Sequence, residues 1–182
     1  MKNLLFAALY ICLSMSIYGQ PEFPLQPKNH FIGIQPLITV TPYDAFYNTV
    51  EINILPFVYE GILSQRVGFK VFPILNYQIN PEKENTFSHT GFGLSLPLYL
   101  NEREKILPYS GLFGGPHLSY TYNQTELYNS FTYAAELGYN FLIKEKYAFV
   151  LDIQYGRTLL FNSTIGKSLP HIGMHVQFGI WL

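Results

Sequence analysis

Cysteine and charge are the two scarce features of this 182-residue sequence. The one cysteine, Cys12, lies near the amino terminus, so the rest of the chain supplies no disulfide, thiol nucleophile or thiolate metal ligand. Charged residues make up 13% and hydrophobic residues 48%, which excludes the charge-rich composition of disordered chains. Lysine and arginine number 11 against 12 acidic residues, so no cationic surplus exists and we expect no nucleic-acid partner.

Long apolar runs are also scarce, and the one near the start covers residues 4–13. It follows the basic start Met1-Lys2-Asn3 and precedes small residues that end at Gly19, which predicts a signal peptide over 1–19. The run is too short to span a bilayer, which needs about 20 apolar residues. Leu9-Tyr10-Ile11 lacks the small residues of a lipidation site, so we do not expect Cys12 to carry a lipid anchor. No later stretch has 18 consecutive apolar residues, so no transmembrane helix is predicted.

Aromatic residues are abundant, at 17%, and hydrophobic positions recur with period two. At the C-terminus the even positions from Ile172 to Leu182 are all apolar, whereas the odd positions include glycine, His175 and Gln177. Similar alternation predicts eight strands near residues 30–40, 48–60, 66–79, 89–100, 106–122, 130–143, 146–158 and 172–182. Prolines 36, 56, 73, 97 and 116 fall within these segments and predict bulges, because proline lacks the ladder donor.

The connections alternate between long and short. Longer polar loops are expected at 41–48, 80–89, 123–130 and 158–169, and shorter turns near 61–66, 101–105 and 143–146. An even strand number with this alternation predicts an all-β fold, a single eight-stranded antiparallel up-and-down transmembrane β-barrel. The expected organisation is an N-terminal periplasmic segment at 20–29 followed by the barrel domain at 30–182.

The charges within the predicted strands fall on the phase that also carries glycine and short polar residues. A membrane barrel turns the opposite, bulky apolar phase toward lipid, whereas a soluble barrel turns it inward. Eight strands leave an interior just wide enough for side chains, which favours the membrane orientation. Phe72, Ile74, Phe113 and Val150 on the inner phase keep a soluble secreted carrier of a small apolar ligand as an alternative. Tyrosines 77, 99, 109, 122, 133, 147 and 155 lie near strand ends and are expected to form interfacial girdles.

Over residues 30–182 the chain resembles the small eight-stranded outer-membrane barrel proteins of Gram-negative bacteria. The resemblance is carried by the terminal strand His175–Leu182 and by Glu136-Leu137-Gly138-Tyr139-Asn140-Phe141. The family usually ends in an aromatic residue, whereas here Trp181 is penultimate and Leu182 is last. The resemblance implies a porin-like fold in the cell outer membrane, contact with outer-membrane lipid, and recognition of the C-terminal strand by the barrel-assembly machinery. Since eight strands leave a narrow interior, we expect a filled lumen, a structural or surface-interaction role through unidentified loop partners, and no cofactor.

Inward polar residues are predicted to meet inside the barrel. Pairing the strands about their loop centres puts His117 opposite Glu136, Glu136 opposite Asp152 or Gln154, and Asp152 near His175. Lys70 is expected to join from the far wall, because a buried charge needs a partner. The predicted lumen polar network is therefore Glu51, Lys70, His117, Glu136, Asp152 and His175.

This set invites two chemical interpretations besides structural pairing. Two histidines and two carboxylates form a legitimate metal-ligand set, although we expect no metal. His117, Ser119 and Glu136 superficially resemble the residues of membrane-embedded lipid A deacylases, which gives a hydrolase as the alternative function. The trio is predicted to face the lumen, whereas a lipid substrate lies outside the barrel. No catalytic residues are therefore assigned, and the expected role of these side chains is to pair one another.

Overall fold

The computed structural model describes residues 28–36, 50–79, 86–103, 107–162 and 166–182. The predicted leader at 1–19, most of the 20–29 segment and the loop at 41–48 lie outside the described residues. The strands are β1 (His30–Ile34), β2 (Val50–Asn53), β3 (Phe57–Ile62), β4 (Gly68–Ile79), β5 (Thr86–Ser95), β6 (Leu98–Tyr99), β7 (Gly111–Asn123), β8 (Tyr128–Ile143), β9 (Tyr147–Phe161) and β10 (Gly166–Trp181).

Eight of these strands form a closed antiparallel ring. The pairing runs from β1 through β10, β9, β8, β7, β5, β4 and β3, and β3 pairs back to β1. The short β2 continues the line of β3 along β4, and β6 continues the line of β5 along β7. The predicted eight-stranded antiparallel barrel is therefore confirmed. No helix in the described ranges is long and apolar enough to cross a membrane.

The proline positions divide into two kinds. Around Pro56 the partners step from Asn53↔Asn76 to Tyr59↔Val71, so the β2–β3 line contains one extra residue. Pro97 separates β5 from β6, but the register along β7 is the same on both sides of it, at Ser95↔His117 and Leu98↔Gly114, so no extra residue is present. Pro73 and Pro116 lie inside continuous strands, so the bulges predicted at these three prolines are wrong.

Two connections on the long-loop side are shorter than predicted. The β7–β8 turn is residues 124–127, where the Asn123 side chain accepts hydrogen bonds from the backbone N–H groups of Thr125 and Glu126. The predicted loop at 158–169 is also wrong, because β9 continues to Phe161 and β10 begins at Gly166. On β10 the outward positions before Ile172 are Gly166, Ser168 and Pro170, so the apolar alternation begins later than the ladder does.

The barrel is polar inside and apolar outside. Ile153 and Met174 face outward and are 58% and 63% exposed, whereas Asp152, between outward Leu151 and Ile153, is 2% exposed. Phe72, Phe113 and Val150 are inward and buried, as their phase predicted. Glycine makes room for the large inward rings, since a Cβ on Gly93 would lie 2.1 Å from Phe72 Cζ.

Candidate functional site: an ion-pair belt inside the barrel

A belt of ionisable side chains crosses the middle of the lumen. Lys70 on β4 reaches across to Glu136 on β8, with Nζ 3.2 Å from Oε1 and both side chains buried. Glu60 on β3 lies directly opposite Lys70 in the strand register. Glu60 Oε1 also accepts a 2.9 Å hydrogen bond from the Tyr99 hydroxyl. Because an unpaired buried charge costs several kcal/mol, these contacts are what keep Lys70, Glu60 and Glu136 compatible with the interior.

Gln154 on β9 joins this ion pair to two histidines. Its Nε2 lies 2.8 Å from His117 Nδ1, 3.1 Å from His175 Nδ1 and 3.3 Å from Glu136 Oε2. An amide nitrogen has only two hydrogens, so it cannot donate to all three. At most two of these three contacts are therefore hydrogen bonds donated by Gln154.

A second carboxylate lies beside His175. Asp152 Oδ1 is 2.9 Å from His175 Nδ1, within ion-pair distance, and the two residues are directly opposite each other in the strand register. On the far side, Gln177 donates to Asp152 Oδ2 at 3.1 Å.

The arrangement favours charge pairing over nucleophilic catalysis. His117 Nδ1 contacts Gln154 Nε2 and lies 3.6 Å from Glu136, while its ring packs against Phe72 at 5.6 Å between centroids. Ser119 is two residues further along β7 on the same inward face, and no hydrogen bond joins it to His117 in the described structure. A serine nucleophile needs its base within hydrogen-bond reach. Within the described residues, no group of three or more histidine, cysteine, aspartate or glutamate side chains has the geometry of a metal site.

The structure places most of the residues predicted from sequence along this belt. Lys70, His117, Glu136, Asp152 and His175 come together, and Asp152 pairs directly with His175 in the strand register. His117, however, lies opposite Ala134 rather than Glu136, because the β7–β8 turn is centred one residue earlier than assumed. The Glu51 side chain lies outside the described residues, although its backbone pairs with Gln78.

Sequence reasoning missed three members of the belt. Glu60 escaped because the extra residue at Pro56 shifts the inward phase from odd positions, ending at Asn53, to even positions beginning at Val58. Gln154 was placed on the inward phase but was not expected to bridge. Tyr99 was assigned to an interfacial girdle because it lies near a strand end, although the leucines on either side of it put it on the inward phase.

Below the belt, toward the short turns, an aromatic plug fills the lumen. Tyr99 and Tyr109 stack with centroids 4.3 Å apart and planes 9° apart. Trp181 packs on Tyr109 at 6.0 Å and on Phe31 at 5.5 Å, and the Tyr109 hydroxyl directs its one hydrogen at the neighbouring backbone carbonyls of Ser64 and Val67. Tyr99 and Tyr109 are each 1% exposed, so their predicted place in the outer girdles is wrong.

Comparison with known proteins adds little to this description. No family model matches the chain, and no curated protein matches it. Among solved structures it is similar to outer membrane protein AlkL, whose structure was determined by solid-state NMR in DMPC lipid bilayers. The identity is 9%, the TM-score is 0.39, and the match covers 90% of this chain and 92% of that chain. The closed barrel and its inverted polarity are therefore what the functional conclusion depends on.

Proposed function

We propose that this protein is an integral outer-membrane β-barrel with a filled lumen, which serves a structural or surface-interaction role through its connecting loops. The observation that carries the proposal is the inverted polarity of the closed sheet. Buried Lys70, Glu136 and Asp152 line the axis, while bulky apolar side chains face outward. In water such a continuous apolar exterior would far exceed the patches that soluble monomers expose.

The outer surface has the dimensions of a membrane band. On β9 the outward residues run from Tyr147 to Tyr155 without a charge, and Arg157 follows. Eight residue steps of about 3.3 Å, inclined by ~40° to the axis, give a height of roughly 20 Å, close to the ~25 Å band of such barrels. At the turn end Phe149 packs outside against Phe141 and Phe178, which supplies an aromatic girdle.

The same interior supports neither alternative function. A carrier of an apolar ligand needs an apolar cavity, but in the middle of this lumen Lys70 pairs with Glu136, and Gln154 joins Glu136 to His175. A lipid hydrolase needs its nucleophile on the lipid side, but Ser119 faces inward. Substituting both His117 and Ser119 with alanine is therefore expected to leave the acyl chains of lipid A unchanged in mass spectra. Loss of a deacylated species in that variant would restore the hydrolase hypothesis.

The direct test is cell fractionation of the full chain, together with gel mobility. We expect the protein in the outer-membrane fraction and a mobility that changes on heating, because a closed barrel resists detergent until it is boiled. Recovery as a soluble protein that needs no detergent would overturn the proposal.

A pair of lysine substitutions makes the test quantitative. Leu151→Lys places a charge near the middle of the apolar band and is expected to cost about 2–4 kcal/mol of unfolding free energy in lipid vesicles. Leu159→Lys, on the same face of β9 but beyond Arg157, is the matched control and is expected to cost less than ~1 kcal/mol. Equal, small effects at both positions would mean that the surface does not contact hydrocarbon.

A further inference from the structure

A single charged side chain lies on the outer face of the long strands. Within β4, β5 and β7 to β10 every outward residue is uncharged except Arg157 on β9. The other charged residues of these strands are on the inward phase, namely Lys70, Glu136, Asp152 and Lys167. Arg157 is exposed and follows the uncharged outward run from Tyr147 to Tyr155. It therefore lies at the edge of the apolar band, on the side of the long loops.

The head group of Arg157 points away from the band. Its Nη1 donates a 3.2 Å hydrogen bond to Ser168 Oγ. In the strand register Arg157 lies opposite Pro170, and Ser168 is two residues closer to the long-loop end of β10. The side chain thus extends along the outer wall toward the loops, as a cation at a membrane interface does when its stem covers apolar surface and its charge reaches the lipid head groups.

The positive charge of Arg157 is available to an anion. The ion pairs formed among the described residues do not include Arg157. A guanidinium has several N–H donors in a planar fork, so the bond to Ser168 leaves most of them unused. Tyr133 lies directly opposite Arg157 on β8, and Tyr155 precedes it by two residues on the same face of β9. We name Arg157, Ser168, Tyr133 and Tyr155 the arginine patch.

The tyrosines of the arginine patch place it at the level of lipid head groups. Tyr133 is 42% exposed and Tyr155 is 70% exposed on the outer surface. Tyrosine is enriched where hydrocarbon meets the polar interface, because its ring is apolar and its hydroxyl is polar. A cation beside such rings, with its head group turned toward the loops, meets the phosphate layer of a membrane.

The chemistry of the fork favours a phosphate monoester. Arginine binds two phosphate oxygens at once, and a monoester carries a second partial negative charge that the diester of a phospholipid lacks. Longer loops of outer-membrane barrels face the outside of the cell, so the proposed function places Arg157 at the outer leaflet. The glycolipid of that leaflet carries phosphate monoesters on its sugar backbone. We propose that the arginine patch binds a phosphate monoester of lipid A, an inference that rests on the proposed function.

The experiment is native mass spectrometry of the full chain folded in tetraethylene glycol monooctyl ether, a detergent without charge or phosphate. The probes are diphosphoryl lipid A, the same lipid with its phosphates removed, and phosphatidylglycerol. We expect diphosphoryl lipid A to bind about tenfold more tightly than the dephosphorylated lipid, and phosphatidylglycerol to bind more weakly than diphosphoryl lipid A. Equal affinities for lipid A with and without phosphate would refute the inference. Phosphatidylglycerol that binds as tightly as diphosphoryl lipid A would refute the assignment to the glycolipid.

Matched arginine variants locate the binding. Arg157→Gln is expected to raise the Kd of diphosphoryl lipid A about tenfold and to leave that of the dephosphorylated lipid unchanged. Arg157→Lys keeps the charge without the fork, so its Kd should lie between those of the wild type and Arg157→Gln. Arg66→Gln is the control, because Arg66 is exposed but already paired with Glu102 at 2.9 Å, and we expect no change in affinity. Wild-type affinity in folded Arg157→Gln would show that the phosphate binds elsewhere.

The outcome separates this inference from the proposed function. Heat-modifiable mobility of each sample verifies that the barrel is folded before lipid is added. A folded barrel that binds lipid A without regard to its phosphates or to Arg157 would contradict the inference alone. A chain that stays soluble and folded without detergent would contradict the proposed function itself.

Discussion

The two halves of the lumen have the same width but are filled by different kinds of side chain. The half between the belt and the short turns, called the sealed half, is filled by rings such as Phe31, Tyr99, Tyr109 and Trp181. The half toward the long loops, called the hydroxyl half, has small inward hydroxyl side chains that face one another across β7, β8 and β9, at Ser119, Thr121, Ser130, Thr132 and Thr158. Because the strand number is the same in both halves, the volume of the inward side chains decides how tightly each half is filled.

The largest expected difference between the halves is access of water-soluble reagents. Ser119→Cys places a thiol in the hydroxyl half, and Ser95→Cys places one at a 2% exposed position level with the belt, where the sealed half begins, opposite Lys70 and His117. With Cys12 in the predicted leader, the mature chain has no other thiol. We expect the thiol of the Ser119→Cys variant to react about 100-fold faster or more with a charged methanethiosulfonate, since the thiol of Ser95→Cys must await an opening that costs ~3 kcal/mol. Equal rates, measured by mass shift, would mean that the reagent reaches the lumen at the level of the belt as freely as it reaches the hydroxyl half.

The second comparison concerns charge, and it contrasts a paired lysine with an exposed one. Lys70→Met leaves Glu60 and Glu136 buried without their cation, which is expected to cost about 3–5 kcal/mol. Lys167→Met removes an exposed charge at the loop end and is expected to change stability by less than ~0.5 kcal/mol. Guanidinium unfolding in detergent, followed by the fluorescence of Trp181 in the plug, measures both. A cost below ~1 kcal/mol for Lys70→Met would show that the belt does not hold ionised groups.

The third comparison concerns packing. A Cβ on Gly93 would lie 2.1 Å from the Phe72 ring, so Gly93→Ala is expected to destabilise the barrel by about 1–3 kcal/mol. Gly166→Ala, at the start of β10, meets no atom within 4 Å and is expected to be neutral. Phe72→Leu in the Gly93→Ala background should recover part of the loss, and failure to do so in the same unfolding assay would locate the strain in the backbone.

The fold was predictable because alternation records which medium each side chain meets. The inward phase of Lys70, Glu136 and Asp152 follows directly from the apolar neighbours on either side of each. The direct Asp152–His175 pairing was also foreseen, because both residues sit at equal distances from the centre of the β9–β10 connection. β9 and β10 both extend further into that connection than predicted, so its centre does not move. The error in loop length therefore left the predicted register between the two strands correct.

The predictions that were wrong depend on single residues. An Asn123 side chain that captures two backbone N–H groups moves the β7–β8 turn by one residue and therefore shifts every pairing between these strands by two. One extra residue at Pro56 reverses the phase that hides Glu60. Tyrosine suits both an interface and a lumen because it carries an apolar ring and a polar hydroxyl, and Tyr99 was assigned to a girdle by its place near a strand end, against its phase.

The smallest expected effect compares two tyrosine hydroxyls. The Tyr99 hydroxyl donates at 2.9 Å to buried Glu60, and the Tyr120 hydroxyl donates at 2.6 Å to Asn129 in an exposed setting. Tyr99→Phe removes a hydrogen bond to a carboxylate and leaves a buried acceptor short of a donor, so we expect a loss of about 1.5–3 kcal/mol. Tyr120→Phe should cost less than ~1 kcal/mol, because water replaces the lost donor at Asn129. The hydrogen bond of Tyr120 is the shorter of the two. A larger loss of stability for Tyr120→Phe in paired unfolding curves would therefore mean that bond length matters more than burial. The buried hydrogen bond of the sealed half would then not contribute more to barrel stability than an exposed one.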